Sequence, residues 1–258
     1  MPSEKLQAVE VINESGKAPL VLVCEHACNF VPAHFHNLGL DADVLDYHIA
    51  WDPGALAVAK EMSRLLDAPL VAAKVSRLVY DCNRPPEAAD AMPTRSEVHD
   101  IPGNMEMSDE DRAWRVEHVY NSFHQVLGET IKARMSEDVQ PVVVTVHSYV
   151  PVYQGVKRDV EMGILHDADS RLADHILKES ADLDYDIRRN EPYSPSDGVT
   201  HTLRRHAIEN NLANVMIEIR NDLISDPEGV SKAAKCLSTI IEPKLADLSL
   251  TDKVRRER

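Results

Sequence analysis

The amino-acid sequence predicts an α/β fold: a three-layer sandwich in which helices cover both faces of a central mixed, mostly parallel sheet. Two observations lead there. Short continuous apolar runs, each about the length of a buried strand, recur along the chain. Segments with helical spacing separate them, the alternation that produces parallel strands joined by crossover helices. A third observation concerns organisation. No repeat, low-complexity tract or linker divides the 258 residues, so one domain over 1–258 is expected, with loosely packed or disordered ends near 1–15 and 250–258.

Residues 19–24 (PLVLVC) are the first apolar run, short enough for a strand buried on both faces. Residues 41–48 suit a short helix. Residues 53–66 (PGALAVAKEMSRLL) have helical spacing, with Asp52 as N-cap and Pro53 at the first helical position. Residues 69–75 read as a second strand, and 77–82 as a third or its continuation. Residues 85–107 lack periodicity and form a long loop, a feature often tied to function in compact domains. Ser108 and Asp111 approximate a capping box that opens a helix running to about Met135. Residues 141–146 (PVVVTV) are the clearest buried strand. Residues 168–180 are expected to be helical, 185–188 a strand, and 191–198 (EPYSPSDG) a turn-rich loop. Then follow a helix over 199–210, a strand over 214–219 (NVMIEI) and an amphipathic helix over 228–241, which Pro243 should end or kink.

The charge balance excludes some functions. With 43 acidic and 28 basic residues the net charge is −15, and nucleic acid phosphates need basic clusters. The terminal KVRRER is basic but short, and reads as a solvated tail. No apolar run approaches the roughly 20 residues that cross a bilayer. The opening MPSEKLQAVEVINESGK has no basic start followed by an apolar stretch, so a cytoplasmic location is expected. The four cysteines include no CxxC pair; Cys24 and Cys28 bracket His26, but Cys24 reads as a small buried hydrophobe.

In sheets of this kind ligands gather at the carboxyl ends of the strands. Glu25 and His26 follow the first run, His147 and Ser148 follow the run over 141–146, and Glu218, Arg220 and Asp222 lie in NVMIEIRND. His26 and His147 suit one zinc ion, because a catalytic zinc takes a few imidazole or carboxylate ligands and leaves a position for water. Asp52 in HIAWDPG is the first choice for a third ligand, with Glu25 and His48 behind it. Cobalt, iron and nickel share these ligand preferences. Each histidine taken alone also fits a hydrogen-bonded structural role, and Asp52 a helix cap. His118 and His124 fall inside the long helix and are expected to face solvent or pack. His34 and His36 lie in a loop, and His206 is on or near a helix. His201, after a glycine turn, is the stronger candidate to touch a substrate. In SRLVYDCNRPP, Asn83 and Arg84 offer an amide and a guanidinium fork for a carboxylate, although Asn-Arg-Pro-Pro is also an ordinary turn. Glu218 is read as the catalytic carboxylate; its alternative is a strand-end ion pair with Arg220, which shares its face.

The segments CEHACNFVP, HIAWDPGALAVA, SRLVYDCNRPP, VTVHS and VMIEIRNDL, in this order, resemble the N-formylglutamate amidohydrolase family over about residues 18–225. That family is similar to zinc carboxypeptidases, aspartoacylase and zinc-dependent muramoyl-alanine amidases. The resemblance implies a zinc-peptidase-like catalytic domain that hydrolyses an amide. It puts the strand-end histidines at His26 and His147, a carboxylate grip at Asp81, Asn83 and Arg84, and the general base at Glu218. Carboxypeptidases carry a glutamate three residues after the first histidine; here that residue is Asn29. The third ligand must come from elsewhere, and the amidases, which draw it from a separate segment between the histidines, support Asp52 in kind. Arg220 is expected to stabilise an oxyanion or hold a second carboxylate. The expected substrate is a small N-acyl amino acid such as N-formylglutamate. The alternatives are a metal-free carboxylate-binding protein on the same fold, or a zinc amidase acting on a peptide or cell-wall amide. Oligomeric state is left unassigned.

Overall fold

The computed structural model describes residues 6–250. Seven strands form the central sheet: β1 (Val9–Ile12), β2 (Leu20–Cys24), β3 (Leu70–Ala73), β6 (Val142–Tyr149), β9 (Met162–Leu165), β10 (Ile187–Arg189) and β11 (Asn214–Arg220). Two small hairpins lie outside it, β4 (Arg95–Ser96) with β5 (His99–Asp100), and β7 (Val152–Tyr153) with β8 (Val156–Lys157). The sheet order is β1-β3-β2-β6-β11-β9-β10. The four central strands run parallel; β1 is antiparallel to β3, and β9 antiparallel to β11. The expected mixed, mostly parallel sheet is therefore observed.

The helices are α1 (Ala55–Leu66), α2 (Pro102–Met105), α3 (Asp109–Arg115), α4 (Ser122–Lys132), α5 (Arg171–Glu179), α6 (His201–His206) and α7 (Pro227–Leu248). Side chains alternate across each strand, so the sheet divides the core in two. Leu20, Leu22 and Cys24 pack with residues of α1, α5 and α7, whereas Val21 and Val23 pack with Phe123 and Leu127 of α4 and Leu203 of α6. All residues of β2 and β6 are buried, which is why these strands read as unbroken apolar runs. No helix among the described residues is long and apolar enough to cross a membrane.

Several expectations are corrected. Residues 9–12 lie in the terminus expected to be loose, yet they form an edge strand in register with β3; the ends at 1–5 and 251–258 lie outside the described residues. Residues 77–82 form turns rather than a strand: Ser76 Oγ takes the Leu78 N–H at 3.2 Å and donates to the Ala50 carbonyl at 2.8 Å. The 85–107 segment carries the β4–β5 hairpin and α2, not a structureless loop. Ser108 does cap α3, which continues through one wider turn at Val116–Asn121 into α4. Pro243 does not end α7, because Ile240 and Ile241 before it and Leu245 and Leu248 after it are all buried on one core, which outweighs the lost backbone bond. Strand β9, only four residues long, was not anticipated.

Candidate metal centre and active site

Three strands and the turn before α1 deliver the central residues. Strand β2 ends at Cys24, and the next two residues are Glu25 and His26. His147 lies in β6, and β11 runs beside it with Glu218 directly opposite His147 in the register. Asp52 precedes α1. Its N–H donates to the His26 carbonyl at 2.9 Å, so the two backbones are tied. The chain then turns through Gly54 at φ 83°, where a Cβ would lie 2.6 Å from the Ile224 carbonyl oxygen; only glycine fits. This turn starts α1 at Ala55 instead of Pro53. Asp52 makes no side-chain cap, and its carboxylate faces the histidines.

His26 Nδ1, His147 Nδ1 and Asp52 Oδ2 meet. Asp52 Oδ2 is 3.2 Å from His26 Nδ1 and 2.9 Å from His147 Nδ1, and the two nitrogens are 3.3 Å apart. All three residues are buried. The outer nitrogens face carboxylates: His26 Nε2 is 2.7 Å from Asp81 Oδ1, and His147 Nε2 is 3.2 Å from Glu25 Oε2. The first is a hydrogen bond. The second is a close ion-pair contact that lacks hydrogen-bond alignment, since neither atom has a bonded partner among the described residues. A neutral imidazole whose Nε2 hydrogen faces a carboxylate presents a bare Nδ1. Two bare nitrogens and a carboxylate oxygen then converge with no hydrogen between them, which is unfavourable unless a cation sits there.

This donor set fits a metal. Ligands on a tetrahedral zinc with bonds of about 2.0–2.1 Å stand roughly 3.3 Å apart. The three protein donors leave a further position open, as catalytic zinc sites do. The cavity around them is lined by the carboxyl groups of Asp52, Asp81, Asp90, Glu97 and Glu218 and by the guanidinium groups of Arg77, Arg84 and Arg95. Burial and Arg77 push the His26 pKa down, but Asp81 and Asp52 outweigh them and raise it. Burial likewise pushes the His147 pKa down, but Glu25 and Asp52 overcome it and lift the pKa well above the usual value. Against burial, His26 and His147 hold Asp52 far below the usual carboxylate range, and His26 and Arg77 do the same for Asp81. The field at this centre favours positive charge.

Glu218 is buried in the same cavity, and its Oε2 has no hydrogen-bond partner among the described residues. Burial, reinforced by Asp52, raises its pKa to about 7 against the pull of His147, His26 and Arg77. The expected alternative, an ion pair with Arg220, is not formed.

The remaining predicted residues divide. Arg84 lines the cavity; Nε donates to Asp90 at 2.7 Å and Nη1 to the Asn83 carbonyl at 3.0 Å, leaving Nη2 without a partner among the described residues. Asn83 also lines it, but its amide ties two loops, donating to the Val199 carbonyl at 2.5 Å and accepting from Thr202 N–H at 3.0 Å. Asp81, expected to grip substrate, instead holds His26 and pairs with Arg77 at 3.1 Å. Arg220 and His201 do not line the cavity. Arg220 reaches Asp222, Glu161 and the carbonyls of Arg158 and Asp159. His201 meets the Tyr120 hydroxyl at 2.8 Å. His48 lies at the cavity wall, 3.5 Å from Glu97, outside the ligand group. Ser148 N–H reaches Asp52 Oδ2 at 3.3 Å, while its hydroxyl donates to the Pro53 carbonyl at 2.8 Å. Glu25 backs His147 rather than joining the ligands, and Cys24 and Cys28 are free thiols outside the group.

Sequence reading missed three contributors. Arg77 bridges the carboxylates of Asp52 and Asp81, at 3.2 and 3.1 Å. Tyr149 and Tyr193 form part of the cavity wall. The single signal for Arg77 was its i, i+4 spacing from Asp81. The cavity holds about 350 Å³, the size of a small-molecule site.

The sequence model for N-formylglutamate amidohydrolase matches residues 18–225. A crystal structure of a gene product from Agrobacterium tumefaciens is 49% identical, with a TM-score of 0.91 over 94% of this chain and 96% of that one. The crystal structure of N-formylglutamate amidohydrolase from Ralstonia eutropha JMP134 is 16% identical, with a TM-score of 0.69 over 98% of this chain and 100% of that one; at this identity the likeness speaks to the fold alone. No curated protein matches.

Proposed function

Because the chain belongs to the N-formylglutamate amidohydrolase family, we propose that it is a zinc-dependent hydrolase of a small N-acyl amino acid such as N-formylglutamate. The observation that carries this reading is the convergence of His26 Nδ1, His147 Nδ1 and Asp52 Oδ2 within 3.3 Å, in a cavity that is also lined by Glu218, a buried carboxyl group with one unpartnered oxygen.

His26, Asp52 and His147 would hold the metal. Asp81 fixes the ring of His26 and Glu25 that of His147, and Arg77 keeps Asp52 and Asp81 apart and oriented. A zinc ion held there supplies Lewis acidity to the acyl carbonyl and to water. Glu218 takes a proton from the attacking water at Oε2 and returns it to the departing amine nitrogen. The acyl carbon–nitrogen bond breaks, and a short acid and a free amino acid leave. Arg84, through Nη2, takes a carboxylate of the substrate and sets the amide against the metal centre. Asn83 acts by fixing the loop that carries Arg84, and a cavity of about 350 Å³ restricts the substrate to a small molecule.

The test joins metal analysis to product analysis. Purified protein is expected to hold one zinc per chain and to release free amine from N-formyl-L-glutamate faster than from peptide or cell-wall amides. Protein that holds no divalent metal and hydrolyses none of these amides would refute the reading.

A further inference from the structure

Three tyrosines, Tyr149, Tyr153 and Tyr193, line one side of the cavity, and all three pack on the guanidinium of Arg158. Its Cζ lies 5.5, 4.5 and 4.9 Å from their ring centroids, respectively. The three hydroxyls are not equivalent. Tyr149 is committed, donating to the Val160 carbonyl at 2.6 Å. Tyr153 sits on the β7–β8 hairpin, and its hydroxyl has no hydrogen-bond partner among the described residues. Tyr193 differs from both: its oxygen accepts from Arg158 Nη1 at 2.9 Å. Guanidinium can only donate, so the phenolic hydrogen must point elsewhere. No acceptor for it exists among the described residues, and the ring faces the cavity.

The geometry points to Tyr193 as a catalytic residue that donates a hydrogen bond from its hydroxyl to the scissile acyl oxygen as negative charge builds there, with Arg158 as the positioning residue behind it. This rests on the amidohydrolase reading given above. Several further features agree. Tyr193 lines the same cavity as His26, Asp52, His147 and Glu218, so its hydroxyl shares one enclosed space with the proposed reacting centre. Burial and Glu218 raise its pKa from the ordinary phenol value although Arg158 opposes them, so the group keeps its hydrogen at neutral pH. Arg158 forms no ion pair with any carboxylate among the described residues, in contrast to the cavity-lining Arg77, Arg84 and Arg95. Among the described residues its one side-chain hydrogen bond goes to Tyr193, and a positive neighbour strengthens a hydroxyl donor. The backbone of Arg158 is held in turn, since Arg220 Nη1 donates to the carbonyls of Arg158 and Asp159. That gives Arg220, which is outside the cavity, a structural part in the same device. Tyr193 keeps its own proton throughout; no bond to hydrogen is broken in this step.

A donor aimed at developing charge acts on kcat and little on ground-state binding. Steady-state hydrolysis of N-formyl-L-glutamate is measured for the wild type and for Tyr193→Phe, Arg158→Met, Arg158→Lys and Tyr193→Phe/Arg158→Met, alongside zinc content, thermal midpoint and calorimetric binding of the product amino acid. Tyr193→Phe is expected to lower kcat about a hundredfold, the scale of one oxyanion donor, with KM, zinc content and product binding within a few-fold of wild type. Arg158→Met is expected to lower kcat about tenfold in the wild-type background and hardly at all with Phe at 193, with Lys at 158 recovering part of the loss. Unchanged kcat in Tyr193→Phe, or a loss confined to KM, overturns the assignment, as does an Arg158→Met effect of equal size in both backgrounds. A wild type inactive on every N-acyl amino acid overturns the amidohydrolase reading and the Tyr193 assignment with it, whereas an active wild type with a fully active Tyr193→Phe overturns the second alone.

Discussion

Glu218 and His147 are register partners on adjacent parallel strands, so a carboxylate and an imidazole from residues far apart in the chain leave the sheet side by side. Burial of Glu218 with one oxygen unpartnered is unfavourable for folding. Such a group is retained where chemistry needs it. Glu218→Gln removes the base but keeps the shape. It is expected to lower kcat by about 10²–10⁴-fold, the range for general acid–base groups, without loss of zinc and with a thermal midpoint equal to or above wild type. Hydrolysis near the wild-type rate in zinc-loaded Glu218→Gln would remove this residue from the reaction.

The ligand group is expected to make the fold depend on its metal. Chelation should abolish hydrolysis, and zinc or cobalt should restore it. A metal present at a hundred times its dissociation constant adds about 2.7 kcal/mol of stability, so the apo protein should melt several degrees lower. His147→Ala should remove both the metal and the shift. A thermal midpoint indifferent to chelator in the wild type would argue against a bound ion at these three residues.

Much of the fold was legible because buried parallel strands announce themselves. The runs at Leu20–Cys24, Val142–Tyr149 and Asn214–Arg220 are apolar on both faces, and the polar residues that interrupt them, His147 and Glu218, stand out against that background. His147 is read as a candidate for this reason and His26 because it follows such a run, whereas Asp52 is chosen from HIAWDPG; the fold brings the three together. The supporting shell was not legible in the same way. Arg77 and Asp81 lie in a segment whose alternation resembled a strand, and their contacts reach back to Asp52 and His26 across 25 and 55 residues. Only tertiary folding makes such pairings. That Arg220 and His201 lie outside the cavity lining was not legible for a related reason: sequence neighbours cannot say which of several nearby carbonyls or hydroxyls will claim a side chain.

Asp81 is expected to act on metal affinity rather than on substrate. Its carboxylate is 2.7 Å from His26 Nε2, and Asp81→Asn removes the charge that holds this ring in place. Losses of this type lower metal affinity about 10–100-fold. Competition with a chromophoric chelator measures the dissociation constant directly. KM at saturating zinc should change little. An unaltered zinc constant together with a raised KM would return Asp81 to the substrate grip.

Gly163 faces Glu218 across β9 and β11, and a Cβ there would run into the Glu191 carbonyl oxygen. That contact is backbone and has little room to yield. Gly163→Ala is expected to cost about 1–3 kcal/mol, typical of overpacking, and to displace the loop that carries Tyr193. Thermal unfolding should show a midpoint several degrees lower, with kcat reduced as well. A fully stable and active Gly163→Ala would mean that the loop moves aside freely.

A buried histidine pair should set the acid limit of stability. His124 Nε2 donates to the Cys82 carbonyl at 2.9 Å, so the neutral ring accepts at Nδ1, where His206 Nε2 lies 2.8 Å away. Protonating His124 would set hydrogen against hydrogen. Burial first, then His206, Arg205 and His201, push the His124 pKa down to about 2; burial, Arg205 and His201 push that of His206 to about 4, with Glu25 opposing weakly. Unfolded histidine titrates near 6.5. As pH falls below that value the unfolded chain binds protons that the folded chain refuses, so stability falls with pH, from about 6.5 down through the folded values. Each histidine contributes up to about 1.4 kcal/mol per pH unit in that window. His124→Gln deletes one titrating group while preserving a donor to Cys82. Denaturant unfolding of wild type and variant between pH 7.5 and 5 should therefore show the steeper decline in the wild type, by about one proton. Parallel curves would mean that the pair accepts protons as readily folded as unfolded.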